Sequence, residues 1–427
     1  MRAMTMSTLA RRDLGVALLL ALVPACAGPV AFHPEDQPTV ADVRASREEV
    51  LEPVLRPGER LHLHALSGDV RVEVAEGPPR IVARLEARAT DAAAAQAAVS
   101  VAQVVLRPAD IGQEILLGAE SDELDDVELH LGYRATVPPG TTLDVSVDEG
   151  DVRLEGALGA FRLSSGLGDV WVRDSGGEID LQVGSGAVRV EDSTCGFLGI
   201  DCTHGEIRVA NVTSERQRLS LVGGTLEVEN CASGETQLVL DQADVRLEGL
   251  DGPLECELDT GELELLGGEP AARRIVSGFA PLTVRDAVGQ LEARATFGQV
   301  RVLGFDGQLV AHSGYGPVEV RGRFDQLDAQ SGSGPLRAVV AEGSVHEDAW
   351  RLHSNHGDVI LTLPSAASAR LEAVTVDGEI ECAFPVIMDA GVVDGGRTLR
   401  GALNGGGALL DLATGAGNIR VLRQAAE

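Results

Sequence analysis

Gly150-Asp-Val-Arg-Leu154, Gly168-Asp-Val-Trp-Val172, Gly186-Ala-Val-Arg-Val190 and Gly205-Glu-Ile-Arg-Val209 are four copies of one pattern: glycine, polar, aliphatic, polar, aliphatic. It continues at Gly224, Gly261, Gly298, Gly316, Gly334, Gly357, Gly378 and Gly417, with Ala243 and Ala280 in the glycine slot of two copies. From 150 to 334 the steps are 18, 18, 19, 19, 19, 18, 19, 18, 18 and 18, followed by 23, 21 and 39. A step held that constant is the signature of a repeat architecture. The aliphatics lie two and four places after the landmark, so they share one strand face while the polar residues between them meet water. A second strand precedes each landmark, with inward positions seven, five and three places before it, as in Ile179/Leu181/Val183 and Leu198/Ile200/Cys202.

One such coil cannot bury its apolar face alone. Stacking coils in register buries it and pairs each strand with its equivalents at roughly 4.8 Å per coil. The expected fold is all-β: a parallel β-helix, or β-solenoid, of two-strand coils of 18–19 residues, with Val170, Val188 and Ile207 in one column. The alternative, an antiparallel sandwich or propeller, does not require one aliphatic register at a constant step. A thin interior takes small aliphatics, which accounts for 3% aromatic residues beside 44% hydrophobic ones.

The N-terminus has a different grammar. Arg11 and Arg12 precede an apolar stretch, Leu14–Val23, that is too short to span a bilayer. It ends in Leu22-Val23-Pro24-Ala25-Cys26, which resembles a bacterial lipobox. The expectation is a lipoprotein signal peptide at 1–25, lipidation of Cys26, and a flexible lipid-anchored tether over 26–50 rich in Pro, Asp, Glu and Ala. Ala27 after the cysteine favours the outer membrane by analogy with didermal bacteria. Residues 51–148 are expected to form a β-rich N-terminal capping region. Its strands are Leu61–Leu66, Val70–Val74 and Val127–Val137, and its one short helix, Thr90–Gln103, has Thr90 and Asp91 as caps. The repeat domain spans 149–424, with Arg397–Gly401 and Gly405–Leu412 as an irregular closing turn.

The net charge is −31 over 427 residues, and all 35 basic residues are arginine. That balance disfavours nucleic acid and anionic membrane surfaces as partners. Chemistry-bearing clusters are sparse. Cys202, Cys256 and Cys382 fall on inward slots, Cys195 and Cys231 lie near turns, and no Cys-x-x-Cys pair suggests zinc. His62 and His64 share a strand face, which is half a metal site or an edge strand. His204 and His356 each precede a landmark glycine, and His312 and His353 sit four places before one. Outward Asp151, Arg153, Asp169, Arg208, Asp244 and Arg246 are spread over many coils, which fits cross-strand charge pairing rather than one focused site. Trp171 is the clearest outward aromatic.

Three segments resemble the bacterial "putative-adhesin" family, a β-strand-repeat domain of unknown function. They are Tyr133–Val145 with Glu149–Val152, Ser354–Pro364, and Gly396 through Leu403 to Val421. The resemblance covers roughly residues 50–422. It implies a solenoid at the cell envelope and carries over no catalytic residues and no cofactor.

Together these readings lead to a non-catalytic, adhesin-like or scaffold lipoprotein of the cell envelope. It would be held to the membrane by its lipid and would bind another envelope protein or a surface glycan. The competing readings are a carbohydrate-active enzyme on a β-helix scaffold, which a cleft with convergent carboxylates or a row of exposed aromatics would favour, and an envelope-stress regulator.

Overall fold

The computed structural model describes residues 43–55, 59–109, 112–118, 127–156, 158–389 and 397–424. The export signal, Cys26 and the tether as far as residue 42 lie outside them.

The repeat is a stack of parallel two-strand coils. Val152, Val170, Val188 and Ile207 pair in consecutive rungs, followed by Leu226, Val245 and Leu263. All seven side chains are at most 4% exposed. Each such burial stabilises by roughly 1.5–3 kcal/mol, which is why one aliphatic register persists through the array. The strands before the landmarks form one sheet (sheet one), and those after them form a second (sheet two). Many strands run through the corner without a break, as in Thr194–Ala210 and Thr213–Glu229. The landmark glycine is required there. Gly205 has φ +151°, and a Cβ on it would lie 1.9 Å from the carbonyl oxygen of Gly186 in the preceding rung.

The inward column of sheet one is not uniformly apolar. It runs Leu143, Phe161, Ile179, Leu198, then Gln217, Thr236, Leu254, Arg273 and Leu291. Gln217, Thr236 and Arg273 are 1–3% exposed. Arg273 donates to the carbonyls of Val288, Leu250 and Glu269 at 3.0, 3.2 and 2.8 Å, and so ties three turns together from inside. Burial lowers its pKa. The amide of Gln217 and the hydroxyl of Thr236 have no hydrogen-bond partner among the described residues.

Both ends depart from the sequence expectation in the same way. Residues 51–148 hold the closing strands and helix and also the first rungs of the stack. Arg60–Ser67 and Val70–Val74 form a regular rung of the stack, paired in parallel with Thr142–Glu149 and Val152–Glu155. Gly112–Gly118 and Glu128–Val137 add a further rung outside it. The first rung in sequence is therefore the second in space. The closing strands are antiparallel: Arg80–Ala89 on Glu128–Val137, then Val43–Leu51 on Arg80–Ala89, and Gln103–Ala109 on Gly112–Gly118. Residues 43–50, expected as tether, are thus a strand, since every second residue faces its partner and nine backbone pairs form. The helix α1, Ala92–Val101, is capped by Asp91, whose Oδ1 accepts from the amides of Ala93 and Ala94, each at 2.8 Å. At the other end Leu409–Ala416 and Ile419–Arg423 slot between the rung of Trp350–His356 and Val359–Leu363 and that of Ala369–Asp377 and Ile380–Cys382. The long step from Gly378 to Gly417 is therefore an excursion through Val386–Met388 and Thr398–Leu403, which lies antiparallel on Ala369–Asp377, rather than an irregular turn. Antiparallel strands satisfy edge amides that a bare parallel rung would leave open.

Candidate binding surface

Three aromatic side chains stand on the outside of consecutive rungs. Phe279, Phe297 and Tyr315 are 57%, 47% and 60% exposed. Phe279 and Phe297 stack with centroids 4.7 Å apart and planes 6° apart, and Phe297 and Tyr315 at 4.8 Å and 7°. All three occupy the place just before a landmark, at steps of 18. The equivalent places one copy before and after hold Thr260 and Ser333, so the ladder is three rings long. The backbone fixes the spacing: the amide of Phe297 donates to Gly278 O at 2.9 Å and that of Tyr315 to Thr296 O at 3.0 Å. Buried serines brace the same corner from inside. Ser313 Oγ donates to Gly298 O at 2.8 Å, and Ser331 Oγ to Gly316 O at 3.0 Å. Stacked aromatic pairs are worth about 0.5–1.5 kcal/mol each beyond area burial, so the ladder is rigid and presents a continuous strip of ring edges to solvent.

On the same rungs, sheet one carries a groove of about 620 Å³ lined by Gln290, Gln308 and Gln326. These glutamines are direct register partners and form an amide ladder parallel to the aromatic one. They lie about seven residues from the aromatics, roughly 23 Å along the strand. Gln326 Nε2 donates to Asp348 at 2.7 Å. The carboxylates here are held by cations. Glu292 lies beside Arg274 and Arg294. Asp328 accepts from Gln330 at 2.9 Å and is 3.2 Å from His312 Nε2. The His312 hydrogen bond holds the Asp328 carboxyl below its usual range against the opposing effect of burial. A carboxyl held below its usual range, as at Asp328, is a poor proton donor at neutral pH.

Sequence reasoning missed the ladder and favoured Trp171. That residue is half-buried, with the Arg153 guanidinium 4.7 Å and the Arg189 guanidinium 6.0 Å from its ring. The signal was present in the 18-residue step of Phe279, Phe297 and Tyr315. Charge pairing between rungs is found at Arg208–Glu227 and Arg246–Glu264, at 3.1 and 3.0 Å. It is not found at Arg153, and Asp151 and Asp169 instead accept backbone amides of the next rung, from Asp169 and Ala187 at 2.9 and 2.8 Å. His62 lies 3.6 Å from Asp144 and His353 2.9 Å from Asp411, while His204 and His356 are exposed corner residues. No group of three His, Cys, Asp or Glu able to hold a metal occurs among the described residues. Cys195, Cys202, Cys231, Cys256 and Cys382 are free thiols. Burial pushes the thiol of Cys195 up to about 11 and that of Cys256 up to about 12.

A family model described as Toastrack DUF4097 matches residues 134–421. No curated protein matches the chain. Among solved structures, a putative cell adhesion protein from Clostridium sporogenes ATCC 15579 is similar at 8% identity, over 90% of this chain and 100% of that one. Its TM-score is 0.15, too low for the likeness to bear on function.

Proposed function

The chain belongs to the Toastrack DUF4097 family, a domain of unknown function, and from that premise we propose that it is a non-catalytic, lipid-anchored envelope protein that binds a surface glycan along its central rungs. The observation that carries the reading is the exposed ladder of Phe279, Phe297 and Tyr315, with a parallel ladder of glutamines roughly 23 Å along the strand. A sugar ring has an apolar C–H face and a rim of hydroxyls. In a glycan several sugars long, aromatic surface takes the apolar part of one sugar and amides, which both donate and accept, take the hydroxyls of another. The ion-paired state of Glu292 and Asp328 supports retention of the glycan over its cleavage. The envelope location rests on the lipobox-like sequence ending at Cys26.

The test is a glycan panel probed with residues 43–427 and with Phe297→Ala and Tyr315→Ala variants. Binding of one glycan class, weakened about tenfold or more in both variants and without release of shorter products, is the expected result. A protein that binds no glycan, or variants that bind as well as the parent, would remove the reading. Globomycin-sensitive processing in the native host tests the anchor separately, and unchanged membrane retention of Cys26→Ala would count against it.

A further inference from the structure

The outward central column of sheet two holds a second recognition surface. Over six consecutive rungs it runs Arg134, Arg71, Arg153, Trp171, Arg189, Arg208. In a chain of net charge −31, five arginines in one register line are not a compositional accident. Like charges placed opposite one another across strands are destabilising. Farther along the same column the protein avoids this by alternation: Arg208, Glu227, Arg246, Glu264. Local rules are broken where function requires it.

Arg208 is paired with Glu227 and Glu229 at 3.1 and 2.8 Å, but Arg134, Arg153 and Arg189 are under-committed. Arg134, Arg153 and Arg189 have no ion pair or side-chain hydrogen bond among the described residues, and the guanidiniums of Arg153 and Arg189 lie 4.7 and 6.0 Å from the ring of Trp171. A guanidinium stacked on an aromatic face keeps its plane fixed and its N–H edges free, ready for bidentate contact with an oxyanion. Arg71 is paired with Glu73 at 2.9 Å. The neighbouring carboxylates Asp69 and Asp151 each spend an oxygen on a backbone amide of the next rung, at 3.1 and 2.9 Å. The antiparallel strands at the N-terminal end rise beside the run and enclose a groove of about 690 Å³, which Arg71, Arg134, Arg153 and Trp171 all line.

We propose that this strip binds a linear acidic polysaccharide, its carboxylates engaging successive rungs. A chain of uronic acids carries one carboxylate per sugar ring, and the rungs offer one guanidinium every ~4.8 Å apart from the Trp171 step. A polymer can follow that line, whereas a compact anion would use only one rung.

The probe is polygalacturonate, with dextran as the neutral arm and polyphosphate as the phosphate arm. It is applied at physiological ionic strength, where screening over ~8 Å limits repulsion from the rest of the acidic surface. The test variant is Arg153→Glu with Arg189→Glu. It places a carboxylate opposite Arg71 and another opposite Arg208, so it is expected to keep or raise Tm while weakening polygalacturonate binding about tenfold or more. Arg337→Ala, an exposed arginine farther along the same column and outside both surfaces, should bind polygalacturonate normally, which separates the run from a general loss of positive charge. The proposal falls if polygalacturonate does not bind, if the double variant binds it equally, if the double variant weakens dextran binding to the same extent, or if polyphosphate binds more tightly.

Discussion

The rungs before residue 210 and those after it differ on the inner face of sheet one and on the outer face of sheet two. Before it, the inward column Leu143, Phe161, Ile179, Leu198 is apolar, and the outward column repeats arginine. After it, the inward column takes in Gln217, Thr236 and Arg273, and the outward column alternates Arg and Glu with pairs at 3.0–3.1 Å. In these two columns the first region leaves charge unpaired outside, and the second leaves the polar atoms of Gln217 and Thr236 unpaired inside. The strand pairing is the same parallel register throughout, so backbone pairing does not choose either solution. What differs is where each region tolerates an unmet polar demand. An arginine facing water can wait for a ligand at little cost, whereas a buried amide cannot.

The sharpest way to break the comparison is to place an unmet charge inside the first region. Val188 is fully buried between Val170 and Ile207. Val188→Asp is expected to cost more than about 4 kcal/mol and to lose cooperative unfolding in urea. A folded variant with unchanged midpoint would show that the column is not the core. Next in size, Arg273→Met removes three donors from buried turn carbonyls, and a loss of about 3 kcal/mol in chemical denaturation is expected. An equal or raised stability would mean that the guanidinium is a burden. In the opposite direction, Gln217→Leu should raise stability by roughly 1–3 kcal/mol, because it replaces two orphaned polar atoms with methyl groups. A fall in Tm would point instead to a partner for that amide.

The smallest effect is a pH dependence on the glycan-proposed face. Asp328 has a folded pKa below its ordinary value, chiefly through the His312 hydrogen bond. Its stabilising contribution is therefore full above the unfolded value of about 4 and is lost as pH falls through the lower folded value. Asp328→Asn should thus be less stable than the parent at pH 6 and nearly level with it at pH 2. An equal gap at both values would assign the effect to something other than ionisation.

Sequence made the stack legible because the aliphatic period and the glycine landmark both report on burial, and burial repeats. Val170, Val188 and Ile207 pair as expected. The order of the end rungs was not legible. Arg60–Ser67 and Leu409–Ala416 carry the same local pattern as any other rung, and nothing in that pattern says which neighbour lies beside them. Arg273 was hidden for a related reason. Its slot is inward by period, but its side chain reaches turn carbonyls that only the folded corner brings together. The aromatic ladder was legible in its 18-residue step. It went unseen because the slot just before the landmark holds Leu167, Ser185, His204, Gly223, Gln242 and Thr260 in other copies, so no residue type marks it as a pattern.

The interleaved C-terminal rung has a consequence for a chain that emerges N-terminus first. Trp350–Leu363 and Ala369–Cys382 are made before Leu409–Arg423, yet the last segment lies between them. The slot must stay open until the final residues arrive, so this end is predicted to close only after synthesis, in one late insertion step. Once seated, the segment is held by hydrogen bonds on both sides. Tension on the C-terminus would then shear two ladders at once rather than unzip an edge.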